Sequence, residues 1–107
     1  MWNDSSYAVA DIFDNIENTV FPAECPVCSK RTGHIFFYRH RDCYGGAWVW
    51  CSNCRSSSHT SGKVPDWWIN PDFVDSRKLT ALPDVLEKDR IHIDKWVNIL
   101  TDNIITD

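Results

Sequence analysis

Five cysteines carry most of the chemistry open to this 107-residue sequence, and four of them are spaced as two C-x-x-C pairs. Cys25 and Cys28 form one pair, Cys51 and Cys54 the other, with 22 residues between the pairs. Each pair presents two thiolates from one tight turn, and tetrahedral Zn²⁺ takes four soft ligands, so the spacing predicts a single structural zinc site. Two disulfides would use the same residues, but a reducing compartment disfavours them. A coincidence among buried free thiols is a weaker account of paired spacing than a metal. His59 has the right chemistry for a ligand, yet four thiolates already complete the shell. Cys43 is left over, and an odd thiol fits a reducing compartment better than a secreted one.

The segment between the pairs must leave the metal and return to it. His34 to Arg41 is rich in β-branched and aromatic residues, Asp42-Cys43-Tyr44-Gly45-Gly46 has turn chemistry, and Ala47 to Trp50 reads as the returning strand. The expected unit is a β-hairpin closed at its base by the metal, with its tip near Gly45 and Gly46.

Over residues 25–54 the chain resembles the zinc ribbon, or rubredoxin-like, family of small metal modules. That resemblance implies that Cys25, Cys28, Cys51 and Cys54 are the ligands of one structural Zn²⁺. Members of that family often carry a glycine after the second cysteine of each knuckle; Ser29 and Arg55 stand there in this chain. The departure counts against a redox iron site, where small residues let amides approach sulfur, more than against zinc. Zinc ribbons serve many functions, so the resemblance implies a fold and a metal but no activity.

The elements around the ribbon are helical. Asn3-Asp4-Ser5-Ser6 offers helix N-caps, and Val9, Ile12, Phe13, Ile16 and Val20 recur at three and four residue intervals, predicting an amphipathic helix from about Ser6 to Asn18. Arg55 to Gly62 reads as a polar, Ser-rich loop. Pro65 to Pro71 places Trp67 and Trp68 side by side between prolines, rings that either cap the core or bind a partner. Pro83 suits the first turn of a helix; Val85, Leu86, Ile91 and Ile93 follow, and then Trp96, Val97, Leu100 and Ile104 mark an apolar face. Whether one helix or two run through Arg90 to Ile93 stays open, because Ile91-His92-Ile93 alternates like a strand. The expected class is a small α+β fold, a zinc-bound hairpin packed against an N-terminal helix and C-terminal helices. All 107 residues form one domain by size: an acidic helix over 1–22, the ribbon over 23–63, and a Trp-rich loop with a helical segment over 64–107.

Charge divides along the chain. Residues 1–24 hold five acids and no base, residues 25–63 hold six bases and one acid, and residues 64–107 hold nine acids and five bases, for a net charge of −4. No apolar run approaches the length of a membrane span, and no signal peptide is recognisable, so the expectation is a soluble, cytoplasmic protein. A closed four-cysteine shell has no position for catalytic water, Cys43 has no visible activating group, and no phosphate loop, nucleophile elbow or H-x-E motif is present. The chain is expected to be a binding protein, not an enzyme, with no small-molecule substrate.

Two binding functions fit. Asp11, Asp14 and Glu17 would steer onto a basic protein, with Trp67 and Trp68 supplying short-range affinity, as in an acidic immunity-type inhibitor of a bacterial toxin nuclease. That likeness to immunity proteins is one of size and charge. The alternative is nucleic-acid binding by the basic aromatic hairpin, through Arg39, Arg41, Trp48 and Trp50. Net charge favours the protein partner, because two acidic flanks repel phosphate.

Overall fold

The computed structural model of the chain describes residues 2–4 and 7–105. Its centre is a three-stranded antiparallel sheet in the order β1-β2-β3, made of β1 (Gly33–Arg41), β2 (Tyr44–Cys51) and β3 (Ser57–Lys63). β1 and β2 set His34 opposite Trp50, Ile35 opposite Val49, Phe36 opposite Trp48 and Phe37 opposite Ala47. Directly opposed residues share a face. His34, Phe36, Trp48 and Trp50 therefore form one side of the sheet, and Ile35, Phe37, Ala47 and Val49 the other.

Both sides are buried. The first side packs against α1 (Asp84–Lys88), α2 (Arg90–Ile105) and the segment over 64–83, through Leu86, Ile93, Val97 and Trp68. The second side takes the N-terminal helix Tyr7–Asn18, whose Phe13 ring sits 6.0 Å from that of Phe37. This helix is wound mainly as 3-10 turns and broken at Asn15 (φ −125°, ψ 27°). Its apolar residues suit that winding: Val9 and Ile12, then Phe13 and Ile16, lie three apart, one turn of a three-residue helix. Val20, placed on the stripe by periodicity, lies beyond the helix end and is 67% exposed. The expected caps Ser5 and Ser6 lie outside the described residues, as does the side chain of Ile104.

Two expectations are corrected and one open question is closed. The hairpin turns at Asp42 and Cys43, with Asp42 at φ 50°, and Gly45 and Gly46 lie within β2. These glycines serve close approach: a Cβ on Gly45 would sit 1.8 Å from the Tyr38 carbonyl oxygen, and one on Gly46 would meet the Trp48 ring. The Ser-rich stretch is the edge strand β3, paired with β2 from Trp50–Ser57 to Tyr44–Lys63. The C-terminal segment is two helices separated at Asp89, and Ile91-His92-Ile93 is helical.

The free edge of β1 is closed without a fourth strand. The Asn70 side-chain amide accepts from the Arg39 backbone N–H at 2.8 Å and donates to the Arg39 carbonyl at 2.9 Å, as a neighbouring peptide would. Ala23 pairs with Gly33 at the strand's other end. All six tryptophan N–H groups find acceptors: Asp84 for Trp2, the Thr80 carbonyl for Trp48, Glu87 for Trp50, Glu17 for Trp67, Asn70 for Trp68 and the Ile69 carbonyl for Trp96. Each ring can thus bury its apolar area without stranding a donor.

Candidate metal centre

The two cysteine pairs fold as matching turns. In the first, the Ser29 N–H donates to the Cys25 carbonyl at 2.8 Å and the Cys25 N–H to the Lys30 carbonyl at 2.8 Å. In the second, the Arg55 N–H donates to the Cys51 carbonyl at 3.1 Å and the Cys51 N–H to the Ser56 carbonyl at 2.9 Å. Each turn closes through a residue in the left-handed region, Ser29 at φ 66° and Arg55 at φ 63°. The backbone that glycine would favour is therefore built here with side chains in place.

These turns bring four sulfurs together at the base of β1 and β2. All four Sγ atoms lie within 4.8 Å of one another. Cys25 Sγ is 3.7 Å from Cys54 Sγ, and Cys28 Sγ is 3.6 Å from Cys51 Sγ. A disulfide would hold two sulfurs at about 2.05 Å, and all five cysteines are free. A tetrahedron with metal–sulfur bonds near 2.3 Å has edges of about 3.8 Å. The donor set and its spacing therefore fit one metal ion in a closed shell.

The sulfurs differ in surroundings. Cys25 and Cys51 are fully buried, whereas Cys28 and Cys54 are partly exposed. Burial pushes the Cys25 thiol up to about 12, and the Asn53 amide, donating to Cys28 Sγ at 3.4 Å, helps bring that thiol down to about 6. The Val27 N–H donates to Cys25 Sγ at 3.3 Å, Thr32 Oγ1 lies 3.0 Å from Cys51 Sγ, and Ser56 Oγ lies 3.3 Å from Cys54 Sγ. A thiol as buried as Cys25 ionises only with a cation beside it, which a bound metal would provide.

A buried polar network ties the second turn to the helices. His34, 3% exposed, donates from Nδ1 to both Asp94 oxygens at 2.8 and 3.0 Å, and its Nε2 lies 2.8 Å from Ser52 Oγ. Ser52, inside the second C-x-x-C turn, donates to Glu87 Oε1 at 2.6 Å, and Glu87 also takes the Trp50 N–H. Burial raises the Asp94 carboxyl above its usual range, partly offset by His34. Asp94, His34 and Ser52 stand in the sequence of contacts of a catalytic triad. The Ser52 proton, however, is shared with a second carboxylate, and the Ser52 N–H is spent on the Thr32 carbonyl, so the arrangement braces β1, the second cysteine turn and α1/α2. Nothing local marks it in the sequence, since His34 and Asp94 are 60 residues apart.

The other sequence-expected residues fall into two groups. Asp11, Asp14 and Glu17 are exposed on the N-terminal helix, and Trp67 lies beside them, half-buried, donating to Glu17 Oε1 at 3.2 Å. Trp68 is 2% exposed and stacks edge-on against Phe36 and Phe37, so its ring belongs to the core. Trp48 and Trp50 are 4% and 0% exposed. The Arg39 guanidinium donates to the carbonyls of Asp42, Pro65 and Trp68 at 2.7–2.8 Å, while Arg41 is exposed. His59 lies over Trp48, ring centres 4.7 Å apart, and burial lowers its pKa. Neither His59 nor Cys43 belongs to the sulfur cluster. No family model matches the chain, and no curated protein or solved structure does.

Proposed function

We propose that this chain is a non-enzymatic protein-binding module whose four cysteines hold one structural Zn²⁺ in a zinc-ribbon arrangement. Four thiolates at tetrahedral spacing suit zinc, and a closed shell suits a staple more than a reaction centre. Its partner is a basic protein, and the most concrete form is an immunity-type inhibitor covering the positive cleft of a bacterial toxin nuclease in the cytoplasm.

The observation that carries this reading is where the two charge classes end up. Of the hairpin's aromatic and basic residues, Trp48 and Trp50 lie in the core and Arg39 is tied to three carbonyls, while Arg41 and Tyr44 stay exposed. The acids Asp11, Asp14 and Glu17 stay outside, and none forms an ion pair among the described residues. Exposed like charges of this kind steer association with an oppositely charged surface. Nucleic-acid binding loses its stacking platform with the two buried tryptophans.

Co-expression with a basic nuclease toxin tests the reading. Protection should be lost on combining Asp11→Lys, Asp14→Lys and Glu17→Lys, with zinc content and thermal midpoint retained. A salt-sensitive gel shift of single-stranded DNA or RNA that requires Arg41 would contradict it.

A further inference from the structure

Between the start of α2 and the chain leading into the first cysteine turn lies a cavity of about 370 Å³. That volume falls within the ~300–1,000 Å³ typical of small-molecule sites. Its wall is mainly apolar, and three cations reach it: Arg31, Arg90 and Lys95.

Polar groups in this wall are nearly all committed. Asp94 is engaged through both oxygens by His34, and His34 Nε2 by Ser52. The Asn98 amide is spent on the N–H and carbonyl of Phe21, each at 2.8 Å, and the Thr32 hydroxyl on Cys51. The cations are not. Arg31 makes one 3.3 Å bond to the Val20 carbonyl and Arg90 one 3.1 Å bond to the Glu87 carbonyl. None of the three forms an ion pair with a carboxylate among the described residues, although acids outnumber bases in the chain by fifteen to eleven. Asp94 is the one carboxylate in the wall and its two oxygens share a single imidazole N–H, so three cations face one acid and the net positive charge, with spare N–H donors, favours an anion. Phe21, Pro22 and Ile91 offer apolar surface alongside it.

We propose that this cavity binds a small organic anion. Its carboxylate or phosphate head group is held by Arg31, Arg90 and Lys95, and its aromatic or aliphatic body lies on Phe21, Pro22 and Ile91. The site is separate from the acidic face assigned to a protein partner, and either assignment stands or falls alone.

Amide chemical-shift titration of the zinc-loaded full chain tests this, with benzoate and phenyl phosphate as probes and inorganic phosphate and benzyl alcohol as controls. At least one organic anion should give saturable shifts around Arg31, Thr32, Ile91 and Lys95 with a Kd of about 1 mM or tighter. The comparison of benzoate with phenyl phosphate identifies the head group. Lys95→Ala and Arg31→Gln should each weaken binding about tenfold, the worth of one hydrogen bond to a charged group. Lys78→Ala, outside the cavity wall, should leave it unchanged. Lys95 is exposed and forms no ion pair among the described residues, so its loss leaves the fold intact. The proposal is overturned by an absence of saturable shifts with both anions, by a control binding as tightly, or by an affinity that Lys95→Ala does not move.

Discussion

Ser29 and Arg55 occupy the same place in two turns 26 residues apart and share one backbone conformation, with φ of 66° and 63°. Each follows the second cysteine of its pair, and each N–H closes on the carbonyl of the first cysteine. Left-handed backbone costs a non-glycine residue roughly 1–2 kcal/mol, a strain the two cysteine turns hold at both positions.

Ser29 is the cleaner probe, because Arg55 also stacks over Trp2 at 4.7 Å. Ser29→Gly is expected to stabilise the metal-loaded protein by up to about 1 kcal/mol, after allowing for the greater freedom of glycine in the unfolded chain. Ser29→Val should destabilise it by about 1–2 kcal/mol, since a β-branched residue tolerates positive φ worst. Denaturant melts at fixed zinc concentration measure both, and a valine variant as stable as the glycine one would remove strain from the account.

The buried pair His34–Asp94 should matter more to stability than any surface ion pair. His34→Ala leaves Asp94 uncompensated in the interior and is expected to cost about 3–5 kcal/mol. Asp94→Asn keeps an acceptor for the imidazole N–H and should cost less. Neither residue is a ligand, so a folded variant should still bind one metal per chain; thermal unfolding with parallel elemental analysis separates the two effects.

How much of this could be read beforehand follows from how local each signal is. The four-cysteine cluster is legible because coordination chemistry dictates both residue type and short spacing, and the descent of β1 into a turn is legible from its β-branched and aromatic run. β3 is not, because Ser58 to Lys63 points largely to solvent at a sheet edge, so apolar alternation never appears. Gly45 and Gly46 read as turn residues when their role is to let β1 and the Trp48 ring approach. The burial of Trp48 and Trp50 depends on helices that arrive more than thirty residues later, and the brace of His34, Asp94, Ser52 and Glu87 joins three separate stretches. Such contacts are set by tertiary packing, which composition and periodicity do not encode.

Gly45 gives a direct check on that reassignment. Gly45→Ala drives a methyl group into the Tyr38 carbonyl and should cost about 1–3 kcal/mol, as overpacking does. A turn glycine with freedom to relax would show far less, so an unchanged melting midpoint would return these residues to the hairpin tip.

Metal affinity should depend on pH with a known sign. Cys25, pushed up to about 12, is protonated before binding and must release that proton to ligate. Affinity is therefore expected to fall about tenfold or more per pH unit on acidification from about pH 8 to about pH 7. Cys28, brought down to about 6, is already ionised in that range and adds to the slope only on further acidification. Competition with a chelator of known proton affinity measures the slope, and a flat profile would contradict the assignment of Cys25.

Metal content of the reduced protein, measured by elemental analysis beside circular dichroism, tests the four-sulfur centre most directly. One zinc per chain is expected, with Cys25→Ser and Cys51→Ser losing the metal and much of the sheet signal and Cys43→Ser keeping both. A sample free of transition metal yet fully folded, or a Cys43→Ser variant that no longer retains zinc, would contradict it.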